Sequence, residues 1–159
     1  MKTIEIERKF LVRPEYRSEL IKQKGTYLRQ GYLSTDPSKT IRIRIKNDEA
    51  FLTVKGLTSG ISRTEIETHI SLSAAEALFD AFIVQEIQKI RRKLIVNGKW
   101  WEVDEFLGRH EGLWVAEIEL EKVEEDFVLP LWAGREVSAE KEYFNSYLSD
   151  HGLNGIALM

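Results

Sequence analysis

Glu5-Ile6-Glu7-Arg8-Lys9 stands near the start of the chain and decides the fold of the rest. Side chains alternate between the two faces of an extended strand, so Glu5, Glu7 and Lys9 share one face and apolar neighbours share the other. Two carboxylates at this spacing repel each other unless a cation lies between them. The motif therefore favours a divalent metal ion beside a basic group, where a phosphate can be bound. A polar strand face that only meets water is the alternative.

The same pattern returns in several later segments. Charged residues two positions apart occur at Arg42/Arg44, Glu65/Glu67, Lys89/Arg91, Glu102/Asp104 and Glu117/Glu119. The residue between the two charges is isoleucine or valine in every case. Each of these segments is therefore predicted to be a strand with one charged and one apolar face.

Eight strands and about three helices are predicted from the sequence. The strands are the opening segment and residues 26–34, 40–46, 51–55, 63–70, 89–96, 99–107 and 113–121. Helices are predicted after Pro14, over 74–87 behind a capping box that starts at Ser73, and from Ser138 to about Ser149. Short turns such as Asn97-Gly98 indicate antiparallel pairing. The expected fold class is α+β, as one domain over residues 1–159, and with eight strands a small barrel can close.

Charge is abundant but balanced, and this excludes several classes of function. The 159 residues include 26 acidic and 23 basic side chains, for a net charge of −3, and 43% of them are hydrophobic. These values predict a folded globule without general attraction to nucleic acid or to anionic membranes. No apolar run reaches the length of a membrane span and the first strand is charged, so a cytoplasmic protein is expected. Because the chain has no cysteine, any metal ligand must be oxygen or nitrogen.

The face of the barrel that points inward bears directly on function. In one interpretation the isoleucines and valines fill the interior and the charges meet solvent. In the other, helices with apolar stripes pack on the aliphatic face, and the charged face lines the bore. Unpaired charges are costly to bury, so such a bore must be wet and filled by metal ions and a polyanion. The residues alone leave both interpretations open.

Motifs along nearly the whole chain resemble one protein family. They are Glu5-x-Glu7-x-Lys9, Arg29-Gln30-Gly31-Tyr32-Leu33, Ile41-Arg42-Ile43-Arg44, Leu52-Thr53-Val54-Lys55-Gly56, Arg63-Thr64-Glu65-Ile66-Glu67, Val103-Asp104-Glu105-Phe106, Ala116-Glu117-Ile118-Glu119, Glu136-Val137 and Tyr143-Phe144-Asn145. In this order they resemble the CYTH superfamily, also called the triphosphate tunnel metalloenzymes, and its short bacterial branch in particular. The resemblance implies an eight-stranded antiparallel tunnel with a charged interior, and so favours the second interpretation. It further implies a metal-dependent triphosphatase that hydrolyses inorganic tripolyphosphate and, with weaker activity, ATP.

The resemblance also implies a role for each charged residue of these motifs. The basic set, expected to bind phosphate, is Lys9, Arg42, Arg44, Lys55, Lys89 and Arg91. The acidic set, expected to bind Mg²⁺ or Mn²⁺, is Glu5, Glu7, Glu117 and Glu119, with Glu65, Glu67 and Asp104 next. Metal-polarised water would attack the terminal phosphoryl group in line, and Lys9 is expected to be catalytic as well. Tyr32 resembles a tyrosine proposed as proton acceptor; a hydrogen-bonding role in the tunnel wall is the alternative.

Other functions and some residues remain open at this stage. A class IV adenylate cyclase and a thiamine triphosphatase are enzymatic alternatives, and a non-catalytic module that binds polyphosphate or nucleotide belongs to another class. The resemblance is compatible with a homodimer. Arg92 stands where relatives tend to have tyrosine, and strand alternation predicts that it alters only surface packing. The tryptophans are expected in the core or in helix contacts. The histidines at 69, 110 and 151 are expected on the surface or in loops.

Overall fold

The computed structural model describes residues 2–159, which form nine strands and three α-helices. The strands are β1 (Lys2–Val12), β2 (Gly25–Ser34), β3 (Lys39–Lys46), β4 (Glu49–Gly56), β5 (Ser62–Ile70), β6 (Glu86–Val96), β7 (Lys99–Phe106), β8 (Trp114–Glu119) and β9 (Ala133–Glu136). The helices are α1 (Arg17–Leu20), α2 (Leu72–Phe82) and α3 (Asn145–His151), and short 3₁₀ turns lie at Pro14–Tyr16, Gly108–His110 and Lys141–Tyr143. None of the helices in this described part of the chain is long and apolar enough to span a lipid bilayer.

The first eight strands close into an antiparallel barrel, as predicted. Their order is β5-β4-β3-β2-β6-β7-β8-β1, and β5 pairs with the first half of β1 to close the ring. The second half of β1 pairs with β8 on one edge and with the short strand β9 on the other. Strand β9 was not predicted, because its four residues, Ala-Gly-Arg-Glu, show no alternation of apolar and polar side chains.

Two apolar clusters lie outside the barrel wall, beneath the helices and loops. One joins Phe10, Trp101 and Ile118 to Leu20 of α1 and to Trp132 in the segment before β9. The other joins Ile43 of β3 to Phe79 of α2. The aliphatic faces of these strands therefore point outward, and the interpretation in which the charged faces line the bore is confirmed.

A third apolar cluster fills one end of the bore itself. Leu11, Ile87, Phe106 and Val115 continue the inward faces of β1, β6, β7 and β8, and Leu148 of α3 packs among them. We call this cluster the closed end. The interior is thus charged along part of its length only, and α3 covers the part that is apolar.

The predicted helices differ from the observed ones at their ends. Helix α2 covers Leu72–Phe82, where 74–87 was predicted, because Ser71 and not Ser73 accepts the capping hydrogen bond, from the backbone N–H of Ala74 at 3.1 Å. The predicted end of this helix belongs instead to β6, where Ile87 is needed in the closed end. The predicted helix over 138–149 is also wrong: extended backbone at Phe144 separates a 3₁₀ turn from α3.

Three side chains expected on the surface or in the core lie elsewhere. Arg92 is buried on the outer wall, where it donates to Glu105 at 2.9 Å and to the Gln23 carbonyl at 3.2 Å. His110 is fully buried, and its Nε2 lies 2.7 Å from the carbonyl oxygen of Leu148. Trp100 is exposed, whereas its neighbour Trp101 is in the core.

The burial of His110 leads to a prediction about stability against pH. Nε2–H donates to the Leu148 carbonyl, so Nδ1 is unprotonated, and it has no hydrogen-bond partner in the described structure. Burial, with a smaller effect of the nearby Arg109 cation, lowers the pKa of His110 below its ordinary value. Below pH ~6.5 the unfolded chain therefore binds a proton that the folded chain does not, and folding stability falls by up to about 1.4 kcal/mol per pH unit.

We expect His110→Gln to remove this dependence, because glutamine can still donate to Leu148 and does not titrate. Urea unfolding of both proteins between pH 7.5 and 5 measures it. The free energy of unfolding of the parent should fall by about 1 kcal/mol more than that of the variant over this range. Equal losses in the two proteins would contradict the assignment.

Candidate functional site

The charged part of the bore encloses a cavity of about 250 Å³. Seven basic and seven acidic side chains line it. The basic ones are Lys9, Arg42, Arg44, Lys55, Arg63, Lys89 and Arg91, and the acidic ones are Glu5, Glu7, Glu65, Glu67, Glu102, Glu117 and Glu119. Tyr32, Asn145 and a few small or apolar residues complete the lining. The lining is therefore dense in charge but carries no net charge.

Every residue predicted for the site from the sequence lines this cavity except Asp104. Among the lining residues that were not predicted for the site, two are charged and one carries an amide: Arg63, Glu102 and Asn145. Arg63 and Glu102 alternate in phase with predicted site residues on β5 and β7, so the strand pattern contained a signal for both. Asn145 gave no such signal, since it reaches the cavity from α3 and not from a strand.

Basic side chains crowd together on β3 and β6. Arg42 and Arg44 project inward from β3, and Arg91 projects inward from β6. Repulsion from Arg42, together with burial and the charge of Arg91, lowers the pKa of Arg44 to about 10. This part of the wall holds more positive charge than its surroundings balance, so a bound anion would be stabilised here.

Acidic side chains crowd together on β1 and β8. Partial burial and the carboxylates of Glu5, Glu7 and Glu102 raise the pKa of Glu119. Burial likewise raises the pKa of Glu5, although the Lys55 ammonium opposes it. A cation bound on this side would therefore relieve repulsion between carboxylates.

Lysines join strands across the acidic side. The Nζ atom of Lys9 lies 2.8 Å from a carboxylate oxygen of Glu7 and 2.8 Å from one of Glu117. Burial alone would lower the pKa of Lys9, but the two carboxylates outweigh it and raise the pKa well above its usual value. Lys55 is held in the same way, at 2.8 Å from Glu5 and 3.3 Å from Glu65. Both ammonium groups are thus fixed in place between carboxylates.

Asp104 faces into the barrel but is buried beneath the cavity lining, where it pairs with two cations of the basic set. Arg91 donates to both of its oxygens at 2.7 Å, and the Lys89 ammonium lies 2.7 Å from one of them. Although burial opposes ionisation, Arg91 and Lys89 lower the pKa of Asp104. Burial, with repulsion from Arg91, lowers the pKa of Lys89 to about 8. The carboxylate that was predicted as a metal ligand is therefore engaged on both oxygens, away from the cavity.

Two charged groups of the lining are left without an opposite charge. Among the described side chains, Arg63 and Glu119 have none within 4.0 Å, whereas each of the other twelve does. The Arg63 guanidinium is nevertheless fixed, because it donates to the Gly56 carbonyl at 3.2 Å and to the Thr40 hydroxyl at 3.1 Å. The lining thus offers an ordered cation for an anion, and an unpaired carboxylate for a metal ion.

The glutamates do not converge on a single point. Within residues 2–159, no three carboxylate or imidazole side chains come close enough together to hold a metal ion. The ion pairs explain this, because Glu5, Glu7 and Glu117 are each drawn to a lysine. The donor chemistry still suits a hard divalent cation, since several carboxylates face one cavity.

Comparison with known proteins places the chain in a family. The CYTH domain model matches residues 3–150. The inorganic triphosphatase of Acetivibrio thermocellus is 44% identical over 145 residues, which are 91% of this chain and 92% of the relative. The inorganic triphosphatase of Nitrosomonas europaea is 36% identical over 150 residues, 91% of this chain and 96% of the relative.

Solved structures show the same fold. A crystal structure described as an inorganic triphosphatase superposes with a TM-score of 0.63 at 33% identity, covering 91% of this chain and 93% of that one. A Pyrococcus horikoshii protein superposes with a TM-score of 0.55 at 20% identity over 75% of this chain and 79% of that one. The latter likeness shows the fold alone.

The contrast between Asp104 and Glu119 predicts opposite effects on stability. Asp104→Asn leaves Lys89 and Arg91 without their shared buried carboxylate, so we expect it to cost about 3–5 kcal/mol of unfolding free energy. Glu119→Gln removes a carboxylate that Glu5, Glu7 and Glu102 repel, so we expect an unchanged or higher melting temperature. Urea and thermal unfolding without added metal test both variants. A stable Asp104→Asn variant, or a strongly destabilised Glu119→Gln variant, would contradict these assignments.

Proposed function

The chain belongs to the CYTH domain family, and from that membership and the charges of its cavity we propose that it is a metal-dependent inorganic triphosphatase. Its substrate is inorganic tripolyphosphate, bound and hydrolysed inside the barrel. The relatives at 44% and 36% identity, both inorganic triphosphatases, support this assignment. The observation that carries it is the lining itself, with seven cationic side chains beside seven carboxylates in a cavity of about 250 Å³.

The balance of charge explains why a metal ion is required. Tripolyphosphate carries several negative charges, and a lining of zero net charge cannot neutralise them alone. Cations that enter with the substrate would restore the balance. Carboxylate oxygen is the ligand that Mg²⁺ and Mn²⁺ prefer, so we assign one of these ions to the acidic side, held by Glu119 with Glu5 and Glu7.

The composition of the lining favours an inorganic substrate over a nucleotide. Apart from Tyr32, the uncharged residues that line the cavity include only two large apolar side chains, Ile61 and Phe144. An adenine or thiazolium ring is usually bound between apolar or aromatic surfaces. The cavity offers little such surface, so ATP is expected to be a weaker substrate.

The basic set binds and orients the phosphoryl groups. Arg42 and Arg44 can each donate two parallel hydrogen bonds to phosphate oxygens. Arg91 already donates to both oxygens of Asp104 and to Glu102, so it contributes positive charge, as do Lys9, Lys55 and Lys89. Arg63 adds a seventh cation whose charge no carboxylate offsets. The reaction is attack of water on the terminal phosphorus, with cleavage of the bond to the bridging oxygen, to give phosphate and diphosphate.

Residues of the site stabilise the charge that develops in this reaction. A bound divalent ion supplies Lewis-acid polarisation of a phosphoryl oxygen and of the attacking water. Lys9 holds a fixed positive charge beside Glu7 and Glu117 and is placed to stabilise the transition state. Tyr32 lines the cavity opposite Arg42 on β3, either as proton acceptor or as a hydrogen-bond donor to substrate.

Phosphate release tests this function. The protein is incubated with tripolyphosphate, ATP or thiamine triphosphate, each with Mg²⁺ or Mn²⁺, while cyclic AMP is followed in the ATP reaction. We expect metal-dependent release that is fastest from tripolyphosphate and that EDTA abolishes. Cyclic AMP would indicate the adenylate cyclase instead, and a preference for thiamine triphosphate would indicate that enzyme. Binding of tripolyphosphate without turnover would indicate the non-catalytic binding module.

A cytoplasmic location and a homodimer stay predictions.

Arg63 provides a specific test of the binding site. Its guanidinium is ordered and unpaired, so Arg63→Gln should weaken tripolyphosphate affinity by about tenfold or more, through loss of a charge-assisted contact. Arg63→Lys should recover part of that affinity. The control is Lys22→Gln, which removes a positive charge from an exposed pair with Glu19 on the surface. Equal KM values for Arg63→Gln and Lys22→Gln would exclude Arg63 from the binding site.

A further inference from the structure

Asn145, the first residue of α3, touches the basic set from the closed end of the bore. Its Oδ1 atom accepts a hydrogen bond from Nζ of Lys89 at 2.9 Å and another from Nε2 of Gln30 at 3.1 Å. Lys89 and Gln30 are both buried, with exposed fractions of 2% and 0%. A side-chain amide thus orients the most buried ammonium group of the cavity lining, between the charged part of the bore and the closed end.

The neutrality of the Asn145 amide matters because few carboxylates balance the positive charge of Lys89. Asp104 pairs with both Lys89 and Arg91 at 2.7 Å, and Arg91 also pairs with Glu102 at 2.8 Å. Among the described side chains, Lys89 has no carboxylate within 4.0 Å other than the one that it shares with Arg91, so part of its positive charge can face a bound anion. A carboxylate at position 145 would make the same hydrogen bond to Lys89 but would cancel that charge. An amide fixes the ammonium group and leaves its charge available.

We propose that Asn145 is a positioning residue for phosphate binding, which orients Lys89 toward the cavity without neutralising it. This inference rests on the proposed function, in which Lys89 binds a phosphoryl group. It gives α3 a role in the site in addition to closing one end of the bore. Gln30 supports the arrangement, since it faces inward from β2 and its amide N–H donates to the same oxygen of Asn145.

Other contacts hold α3 in place independently of Asn145. Leu148 packs in the closed end, and Tyr143, just before the helix, donates to the Ala157 carbonyl at 2.5 Å. Arg109 donates to the Ser149 carbonyl at 2.7 Å. Because these contacts persist when position 145 changes, effects on substrate binding can be separated from effects on folding.

The charge at position 145 is the variable that tests the proposal. Asn145→Asp preserves the shape and the acceptor, and it adds a negative charge beside Lys89. We expect tripolyphosphate affinity, measured by titration calorimetry, to fall by about tenfold or more, and KM to rise with a smaller change in kcat. The melting temperature without ligand should stay the same or rise. Asn145→Ala should weaken affinity less, since it frees the ammonium without neutralising it. Asn154→Asp, on the exposed surface, is the matched control and should behave as the parent.

The outcomes separate this inference from the proposed function. Unchanged affinity in Asn145→Asp would overturn it, as would a loss equal to that of Asn154→Asp. If the loss of tripolyphosphate affinity is proportional to the loss of melting temperature across the three variants, the role of Asn145 is structural, and the inference is also overturned. If the parent binds tripolyphosphate but does not hydrolyse it, the proposed function fails while the affinities still decide the role of Asn145. If the parent does not bind tripolyphosphate, both fail.

Discussion

Pairing of opposite charges inside the barrel is the constraint on which the rest of the structure depends. Isolated ions are costly to bury, and they are tolerated only where partners are close and well oriented. Lys9 between Glu7 and Glu117, and Asp104 between Lys89 and Arg91, meet this condition at 2.7–2.8 Å. These pairs link neighbouring strands on the inner surface of the barrel. The barrel can therefore hold its charges on the inside, and the aliphatic faces are left for packing outside.

The position of the helices follows from this arrangement, in which charged side chains point into the barrel and aliphatic side chains point outward. With the isoleucine faces of β3 and its neighbours turned outward, they must be covered, and α2 covers them with Phe79. At the closed end the inward faces change from charged to apolar residues, and α3 supplies the hydrophobic partner, Leu148. Each helix thus lies where the barrel wall presents apolar side chains. The charged cavity remains between the closed end and the opposite mouth.

Strand alternation in the sequence predicted which side chains share a face of each strand. The burial and the partners of individual side chains depend on tertiary packing and were predicted less well. Thirteen of the fourteen residues predicted for the site line the cavity: strand parity grouped the charges on one face, and the family resemblance implied that this face points inward. Parity also contained the signal for Arg63 and Glu102. Asp104 has the same parity, yet its depth behind Arg91 depends on where the bore narrows, which no local pattern encodes. Parity also placed Arg92 outward but could not show that Gln23, Glu105 and Trp114 would bury it. His110 acquires its partner from α3, and Asn145 of α3 acquires its partners from β2 and β6, which in each case lie far away in the sequence.

The ion pairs that stabilise the barrel also compete with its proposed ligands for the same side chains. With the cavity as it stands, most carboxylates are engaged by lysines, so a metal ion must compete with Lys9 and Lys55 for them. A phosphoryl group must compete with the same carboxylates for those lysines. In the proposed function, phosphate oxygens would pair with these ammonium groups, and the glutamates would then be available to a metal ion. Each ligand would thereby lower the cost of binding the other, and by linkage their affinities would be mutually enhanced. Arg63 and Glu119 would need no such exchange, so we propose them as the first contacts for the anion and the cation.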